Sequence, residues 1–232
     1  MKLYVGTSGY SYKEWKGSFY PEKIPAAQML SYYSSRLPAV ELNNTFYRLP
    51  QRSMVESWRT QVPEDFRFSV KASQRITHFK RLKDVSTETN YMLETVSALE
   101  DRLGVVLFQL PPNMKKDLER LEIFLKELPK ETPAAFEFRH PTWFEDDVIE
   151  LLRSHNRVLC VSDTDDLPTS HIDKTADWGY LRLRRVQYSE ADLAAWVDRI
   201  RAQEWKTVYV FFKHEDEGTG PKLAAQFINL SK

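Results

Sequence analysis

Eight short apolar runs recur along this chain of 232 residues, and helical patterns lie between or after them. The runs cover residues 3–6, 40–43, 66–71, 105–110, 134–139, 158–163, 180–184 and 208–213. A chain that alternates strand and helix favours a parallel sheet with right-handed crossovers. Eight such units predict an α/β fold, a closed (β/α)₈ barrel of the TIM type, in which functional groups gather where the strands end.

Helical periodicity marks the stretches that connect these runs. It covers residues 26–36, 53–61, 87–102, 117–128, 144–155 and 222–230, and a further helix opens at Ser189. Residues 164–177 have no such periodicity, so we expect an irregular loop in place of the sixth helix. Because no linker or low-complexity tract divides the sequence, we expect a single domain over residues 1–232.

Composition excludes several classes of protein. The chain carries 33 Lys and Arg residues against 33 Asp and Glu residues, so no global field attracts DNA or a lipid surface. The single cysteine, Cys160, lies in an apolar run, which predicts a small core residue in a reducing compartment. The sequence has no signal-peptide core and no run of about 18 apolar residues, so we expect a cytoplasmic protein with no membrane partner.

Alternation along each strand predicts which side chains line the barrel interior. If the large apolar residues face the helices, a polar set faces inward near the strand ends. This inward set comprises Glu41, Asn43, Ser69, Lys71, Gln109, Glu137, Arg139, Asp163, Arg182, Arg184 and Lys213. Interior positions are costly for unpaired charge, so these groups either pair with one another as a polar plug or bind a ligand.

The charge balance of the inward set favours a ligand. Three acids, Glu41, Glu137 and Asp163, stand against five bases, which leaves an excess of two positive charges. A carboxylate or phosphate group would balance the excess, and arginine binds both groups well. The loop that contains Ser8, residues 6–9, could offer backbone N–H groups to such an anion or could be a simple glycine turn.

Other chemistry has weaker support. Glu137, His140, Asp163, His78 and His214 all follow strand ends, but their spacing is not diagnostic of a metal site, and we predict none. Nucleotide-binding glycine motifs are absent, so the sequence specifies no cofactor.

Catalysis by the inward set itself can be interpreted in several ways. Lys71 could act as a base or form a Schiff base, or it could pair with Glu41 or Glu137. The two glutamates could instead act as general acid and base.

Aromatic residues crowd the first loop and follow two other strands. They comprise Tyr10, Tyr12, Trp15, Phe19 and Tyr20 in the loop, Phe46 and Tyr47 after the second strand, and Trp143 after the fifth. Such rings can stack on bases or sugars, although each ring alone is typical of a rim or core position. Near charged strand ends, they suggest a pocket for a ring-bearing anion.

Several motifs span the chain from one end to the other. They read GTSGY from Gly6, ELNNTFY from Glu41, FSVKA from Phe68, LFQLPP from Leu107 and EFRH from Glu137. Together they resemble the YecE-like family, a domain of unknown function (number seventy-two). The resemblance implies a cytoplasmic TIM-type barrel. By the likeness of that architecture to apurinic-site endonucleases and sugar isomerases, it also suggests a nucleic-acid or phosphodiester role.

The end of the chain departs from the commoner pattern of this family. Many members carry Phe-Asn-Asn after the eighth strand, whereas this chain has Phe212, Lys213 and His214 at the corresponding place. A base and an imidazole therefore replace neutral amides. Any role of those asparagines does not transfer to this chain.

We formulate three hypotheses. The leading one is an enzyme, a hydrolase or lyase, that binds a small anionic ligand at the C-terminal mouth of the barrel. Its catalytic residues are Glu137, Lys71 and Glu41, and its substrate-binding residues are Ser8, Tyr10, Asn43, Tyr47, Gln109, Arg139, His140, Asp163, Arg182 and Lys213. The second is a nucleic-acid-binding protein that uses the aromatic loop and the basic residues Arg75, His78, Lys80, Arg81 and Lys83. The third is a non-catalytic ligand sensor. None of the three specifies an oligomeric state.

Overall fold

Nine parallel strands form one sheet in the computed structural model, which describes residues 1–166 and 172–232. The strands are β1 (Lys2–Ser8), β2 (Ala39–Leu42), β3 (Arg67–Lys71), β4 (Leu103–Gln109), β5 (Ala134–Glu137), β6 (Val158–Leu159), β7 (Val161–Asp163), β8 (Trp178–Leu183) and β9 (Thr207–Phe212). Their order across the sheet is β6-β5-β4-β3-β2-β1-β9-β8-β7. The predicted TIM-type barrel is therefore confirmed.

The two edge strands, β6 and β7, are consecutive in the chain and are separated by Cys160 alone. β6 pairs with β5, and β7 pairs with β8. The Cys160 N–H donates to the Phe136 carbonyl at 2.8 Å, which extends the pairing with β5. The predicted sixth strand is thus divided into two halves, and the chain itself joins the two edges of the barrel.

Helices surround the barrel. In the described residues, the α-helices are α1 (Met29–Ser34), α2 (Arg52–Thr60), α3 (Ser86–Val96), α4 (Leu118–Glu127), α5 (Asp146–Ser154), α6 (Glu190–Arg201) and α7 (Thr219–Leu230). Short 3₁₀ turns cover Lys13–Trp15, Ala26–Gln28, Asn44–Phe46, Ser97–Arg102 and Pro141–Trp143, and a π-helical turn covers Arg75–Phe79. None of the helices in residues 1–166 and 172–232 combines the length and the apolarity that crossing a bilayer requires.

Two of the helical stretches are more broken than their periodicity predicts. Residues 26–36 divide into a 3₁₀ turn and α1, and residues 87–102 divide into α3 and a 3₁₀ turn in which Glu100 has φ of 49°. Between β7 and β8, residues 164–166 and 172–177 form no helix or strand, as predicted. The rest of that predicted loop, residues 167–171, lies outside the described residues.

The apolar core has an inner part and an outer part. Inside the barrel, Leu107, Val158, Cys160, Tyr180 and Phe211 belong to one buried cluster. Two larger clusters fill the space between the sheet and the helices. Cys160 is a buried core residue, as predicted, and burial raises the pKa of its thiol. The inner cluster lies on the same face of the sheet as the polar side chains of the mouth, because alternate residues of a strand share a face.

Candidate functional site

Arg182 occupies the centre of the barrel interior. It extends from β8, and its side chain is 2% exposed. One guanidinium nitrogen lies 2.8 Å from Glu41 Oε1 on β2, and the other lies 2.5 Å from Glu137 Oε2 on β5. Both terminal nitrogens therefore bind carboxylates of the protein, an arrangement that disfavours the predicted substrate-binding role of Arg182. This residue is the polar plug that the charge tally left as the alternative.

Glu41 receives hydrogen bonds from two further strands, β1 and β8, and from the loop after β2. Ser8 Oγ donates to it at 2.7 Å, Asn43 Nδ2 at 3.0 Å and the Tyr180 hydroxyl at 2.6 Å. The Tyr180 hydroxyl also lies 2.7 Å from Ser69 Oγ on β3. Burial alone would raise the pKa of Glu41, but Arg182 and these hydrogen bonds outweigh it and lower that pKa to about 2. Glu41 is therefore a fixed anion and not a proton donor at neutral pH.

Glu137 is held in the same manner. Gln109 Nε2 donates to it at 2.9 Å, and the Arg184 guanidinium lies 3.3 Å from its Oε1. Burial opposes ionisation, yet Arg182 and Arg184 hold the pKa of Glu137 below its ordinary value. The predicted general-acid role of the two glutamates is therefore wrong. Ser8, Asn43 and Gln109 donate to the glutamates and hold them in place.

A cleft of about 330 Å³ lies above this buried cluster, at the C-terminal mouth of the barrel. Its walls consist of Tyr12, Asn43, Asn44, Tyr47, Lys71, Gln109, Arg139, Arg182, Arg184, Lys213 and Glu215. Arg139, Arg184, Lys213 and Glu215 also line a wider groove beside the ends of β5 to β9. Seven residues of the predicted inward set therefore line one opening, and Glu41, Ser69 and Glu137 lie buried in the barrel interior.

Lys71 differs from the other cations of the mouth. Its Nζ lies 4.2 Å from the centre of the Phe46 ring, and it makes no ion pair with any residue that the structure describes. Burial, followed by the charge of Arg182, lowers the pKa of the Lys71 amine to about 8. The predicted pairing of Lys71 with Glu41 or Glu137 is wrong, because arginines occupy both carboxylates.

The charges of the mouth and its floor do not balance. Five cations, Lys71, Arg139, Arg182, Arg184 and Lys213, stand against the carboxylates of Glu41, Glu137 and Glu215. The excess is two positive charges, as in the sequence tally, with Glu215 taking the place of Asp163. Lys213 Nζ lies 3.9 Å from Glu215, and this rim pair is about half exposed on both sides.

Asp163 faces the helices and not the barrel interior, which corrects its predicted place in the site. Its Oδ2 accepts from Arg185 Nε at 2.9 Å, from the Tyr188 hydroxyl at 3.0 Å and from Trp196 Nε1 at 3.3 Å. The register pairs Ser162 with Arg182, so Ser162 takes the inward position and Asp163 the outward one. Asp163 ties β7 to β8 and α6.

Replacing Asp163 with alanine is expected to destabilise the protein without affecting the site. Arg185, Tyr188 and Trp196 would lose a shared charged acceptor, at a cost of about 2 kcal/mol. Urea unfolding measures that loss. Phosphate affinity of the folded variant should stay within about twofold of the parent, and a tenfold loss would return Asp163 to the site.

Two other predicted substrate-binding residues have structural roles, and one lies at the rim. Tyr10 packs against Tyr33, with ring centres 6.2 Å apart, and Tyr12 takes its place in the cleft. His140 Nδ1 accepts from the Thr142 N–H at 3.3 Å and caps the turn Pro141–Trp143. Tyr47 is 74% exposed and lines the cleft as predicted.

The metal candidates and the basic stretch do not converge. His214 Nε2 lies 2.7 Å from the Arg185 carbonyl, and His78 Nδ1 lies 2.9 Å from Thr77 Oγ1. Among the described residues, no three His, Cys, Asp or Glu side chains come close enough together to hold a metal ion. Arg75 and Lys80 both bind Glu88 at 2.9 Å, so two of the five basic groups are already paired.

Tyr12, Asn44, Tyr180, Arg184 and Glu215 contribute to the site but were missed in the sequence or left out of the predicted site. Tyr180 shares the parity of Arg182, which places it on the inner face, but a tyrosine in an apolar run is typical of the core and its hydrogen bond to Glu41 leaves no sequence signal. Arg184 shares the parity of Arg182, and that parity was the available signal. Glu215 lies two residues beyond Lys213, after the strand has ended, where alternation no longer applies.

Comparison with known proteins gives consistent matches. The model of a family described as "Protein of unknown function DUF72" matches residues 4–232. The UPF0759 protein YunF of Bacillus subtilis is 25% identical over 227 residues, which cover 93% of this chain and 79% of YunF. The UPF0759 protein YecE of Escherichia coli K12 is 32% identical over 143 residues, which cover 61% of this chain and 50% of YecE.

Solved structures match over the full barrel. A crystal structure of a DUF72 family protein from Thermotoga maritima has a TM-score of 0.86 at 30% identity and covers 99% of both chains. One from Enterococcus faecalis has a TM-score of 0.81 at 20% identity and covers 99% of this chain and 95% of that one. The second match shows the fold alone.

Proposed function

Given that the chain belongs to the DUF72 family and shares its barrel, we propose that the C-terminal mouth is the active site of an enzyme that acts on an anionic substrate. The substrate carries a phosphate or carboxylate group, and the reaction is a hydrolysis or a lyase reaction. Active sites of TIM barrels lie at this end of the strands.

The observation that carries the proposal is the convergence of four cations on one cleft. Lys71, Arg139, Arg184 and Lys213 line it, and the one carboxylate that lines it among the described residues is the half-exposed Glu215. Cations that gather without matching acids repel one another, and an anion between them relieves that repulsion. Arginine forks and a lysine ammonium suit a phosphate or carboxylate.

Lys71 is the residue best suited to proton transfer. Its amine borders the cleft, makes no ion pair in the described part of the chain, and has a pKa of about 8, near the range in which a base works at neutral pH. Glu41 and Glu137 then act as positioning residues, because they hold Arg182 and Arg184 against the floor of the cleft.

Replacing Arg184 with glutamine is expected to weaken phosphate binding about tenfold, or about 1.4 kcal/mol, because a charge-assisted contact is lost. Glu137 keeps Arg182 and Gln109 as partners, so the variant should still fold. Isothermal titration calorimetry with inorganic phosphate at low ionic strength measures the effect.

The matched control is Arg52→Gln on α2, where the arginine binds Glu56 in solvent, away from the cleft. Its phosphate affinity should equal that of the parent. An equal loss in both variants, or no phosphate binding by the parent protein, would contradict the proposal.

Nucleic-acid binding has less support as the alternative. Trp15 and Tyr20 of the aromatic loop are buried and cannot stack on bases, and Glu88 pairs with Arg75 and Lys80. Tight binding of a single-stranded oligonucleotide, with affinity that falls steeply with salt, would favour this alternative over the small anion. Retention of a small anion without turnover would favour a sensor.

A further inference from the structure

Lys71 has surroundings that an ion-pairing lysine does not need. It ends β3 on the inner face, above Glu41 and Glu137, yet neither carboxylate binds it within the described residues. Its Nζ rests on the face of Phe46. Among the described residues, the polar side chains that share the cleft wall with it are amides, two tyrosines and other cations, apart from Glu215 at the rim. The amine therefore borders the cleft without a partner that fixes its direction.

Burial and positive neighbours also favour the neutral amine, which is the form that attacks carbon. With a pKa of about 8, about a tenth of Lys71 is neutral at pH 7, a few hundred times more than for a lysine at its ordinary value of 10.5. A desolvated lysine beside other cations is a known way to activate an amine as a nucleophile.

From this geometry, and resting on the proposed anion site, we propose that Lys71 forms an imine with an aldehyde or ketone substrate. The phosphate or carboxylate group of that substrate lies against Arg139, Arg184 and Lys213, the other cations of the same cleft. The substrate class is thus an anionic carbonyl compound, and the reaction class is that of a lyase.

The step balances without any co-reactant. The Lys71 nitrogen gives its lone pair to the carbonyl carbon, a C–N bond forms, and the C=O electron pair moves to oxygen. Two of the three protons of the starting ammonium leave with that oxygen as water when the C–O bond breaks. The third proton stays on the nitrogen of the iminium, so the charge is unchanged. In the lyase step the Cα–Cβ bond breaks, and its electron pair forms an enamine with the iminium carbon. The departing fragment leaves as an aldehyde or ketone when its β-hydroxyl loses a proton. The enamine carbon then takes up a proton, and water hydrolyses the iminium to release the second product and the Lys71 amine.

Reductive trapping tests the proposal. The full chain is incubated with glyoxylate or glycolaldehyde phosphate, which are anionic aldehydes, or with the neutral glycolaldehyde, and is then reduced with borohydride. Peptide mass spectrometry locates the label. We expect either anionic aldehyde to label Lys71 at least tenfold faster than glycolaldehyde does, and inorganic phosphate to suppress the difference.

Three variants sharpen the test. Lys71→Arg keeps the charge but forms no stable imine, so the label at this position should vanish. Arg184→Gln should lower labelling of Lys71 by the anionic aldehydes toward the rate for glycolaldehyde. Lys206→Arg, at an exposed lysine that binds Asp177 near the opposite end of the barrel, should leave the labelling of Lys71 unchanged.

The outcomes separate this inference from the proposed function. If phosphate binds in calorimetry but Lys71 is labelled no faster than the surface lysines, the imine is overturned and the anion site stands. If Lys71 is labelled equally by anionic and neutral aldehydes, the anionic substrate class is overturned. If phosphate does not bind and Lys71 is not labelled, both proposals are overturned.

Discussion

An Arg182→Met variant is expected to be about 3–5 kcal/mol less stable than the parent protein at pH 7, because two buried carboxylates lose the charge that pairs them. Glu41 and Glu137 are at most 1% exposed and would face each other across the interior of the barrel. Methionine fills much of the volume of arginine, so the loss reports charge and not a cavity. Urea unfolding, followed by fluorescence of the tryptophans, measures the difference.

The loss should shrink as the pH falls. In the parent protein the pKa of Glu41 is lowered from 4.5 to about 2, so its contribution to stability is complete above pH 4.5 and is lost as the pH falls toward 2. In the variant, burial without a positive partner raises the pKa of both glutamates. As the pH falls, they are therefore protonated at a higher pH than in the parent, and protonation removes the cost of the buried charges. The two unfolding curves should therefore approach each other between pH 7 and pH 4.

Arg184→Met is the matched control, since Arg184 contacts the same Glu137 but lies at the rim with 19% of its side chain exposed. Its cost should be about 1 kcal/mol. Combining Arg182→Met with Glu41→Gln and Glu137→Gln should recover at least half of the loss. An Arg182→Met variant within 1 kcal/mol of the parent, or one equally destabilised at pH 4, would show that the buried ions are not coupled in this way.

The alternation of side chains along the strands predicted most of the residues that face the barrel interior, because this alternation follows directly from strand geometry. Successive side chains of a strand point to opposite faces, and paired residues of neighbouring strands share a face. Ser8, Glu41 and Ser69 are paired across β1, β2 and β3, and all three face inward. The prediction was wrong at Asp163 although alternation holds there: Val158 and Cys160 belong to the inner cluster and Ser162 pairs with Arg182, so the same alternation places Asp163 on the outer face.

The count of acidic and basic residues predicted that the mouth has a net positive charge, but it did not predict which residues pair with each other. Which ions pair depends on how deep each side chain lies along the barrel axis, and a count of charges gives no information on that depth. Arg182 lies two residues before Arg184 on the same strand, and that difference places it between both glutamates, while Arg184 reaches only Glu137. Because the arginines take both glutamates, Lys71 has no ion-pair partner within residues 1–166 and 172–232.

The buried ions and the open cleft are parts of one arrangement. Two fixed anions attract Arg182 and Arg184 toward the strand ends, and the hydrogen bonds from Ser8, Asn43, Tyr180 and Gln109 fix the anions in turn. Placing the cations in this way costs no reorganisation when a ligand arrives. The position of β1 against β2 affects the cleft for this reason, because Ser8 on β1 donates to Glu41 on β2.

Gly6→Ala is the second substitution with a large expected effect, about 3 kcal/mol of destabilisation, because the interior has no space for a Cβ at this position. A Cβ built on Gly6 would lie 1.8 Å from the Ala39 carbonyl oxygen and 3.0 Å from the Tyr33 hydroxyl. That hydroxyl accepts from the Thr7 N–H and donates to the Ala39 carbonyl, both at 2.9 Å, and so joins β1 to β2. The backbones must separate, and this disturbs the Ser8–Glu41 hydrogen bond two residues further along each strand. Urea unfolding measures the loss of stability.

Gly17→Ala provides the control for crowding. No atom lies within 4 Å of a Cβ at Gly17, but its φ is +83°, so alanine there meets backbone strain alone, at about 1 kcal/mol. If the two variants lose equal stability, the cost at Gly6 is conformational and the close approach of β1 to β2 is not what requires glycine. If Gly6→Ala costs about 3 kcal/mol and also weakens phosphate binding in the protein that remains folded, this contact supports both the barrel and the anion site. Gly6, which lies within β1 and not in the predicted first loop, then serves the site through packing.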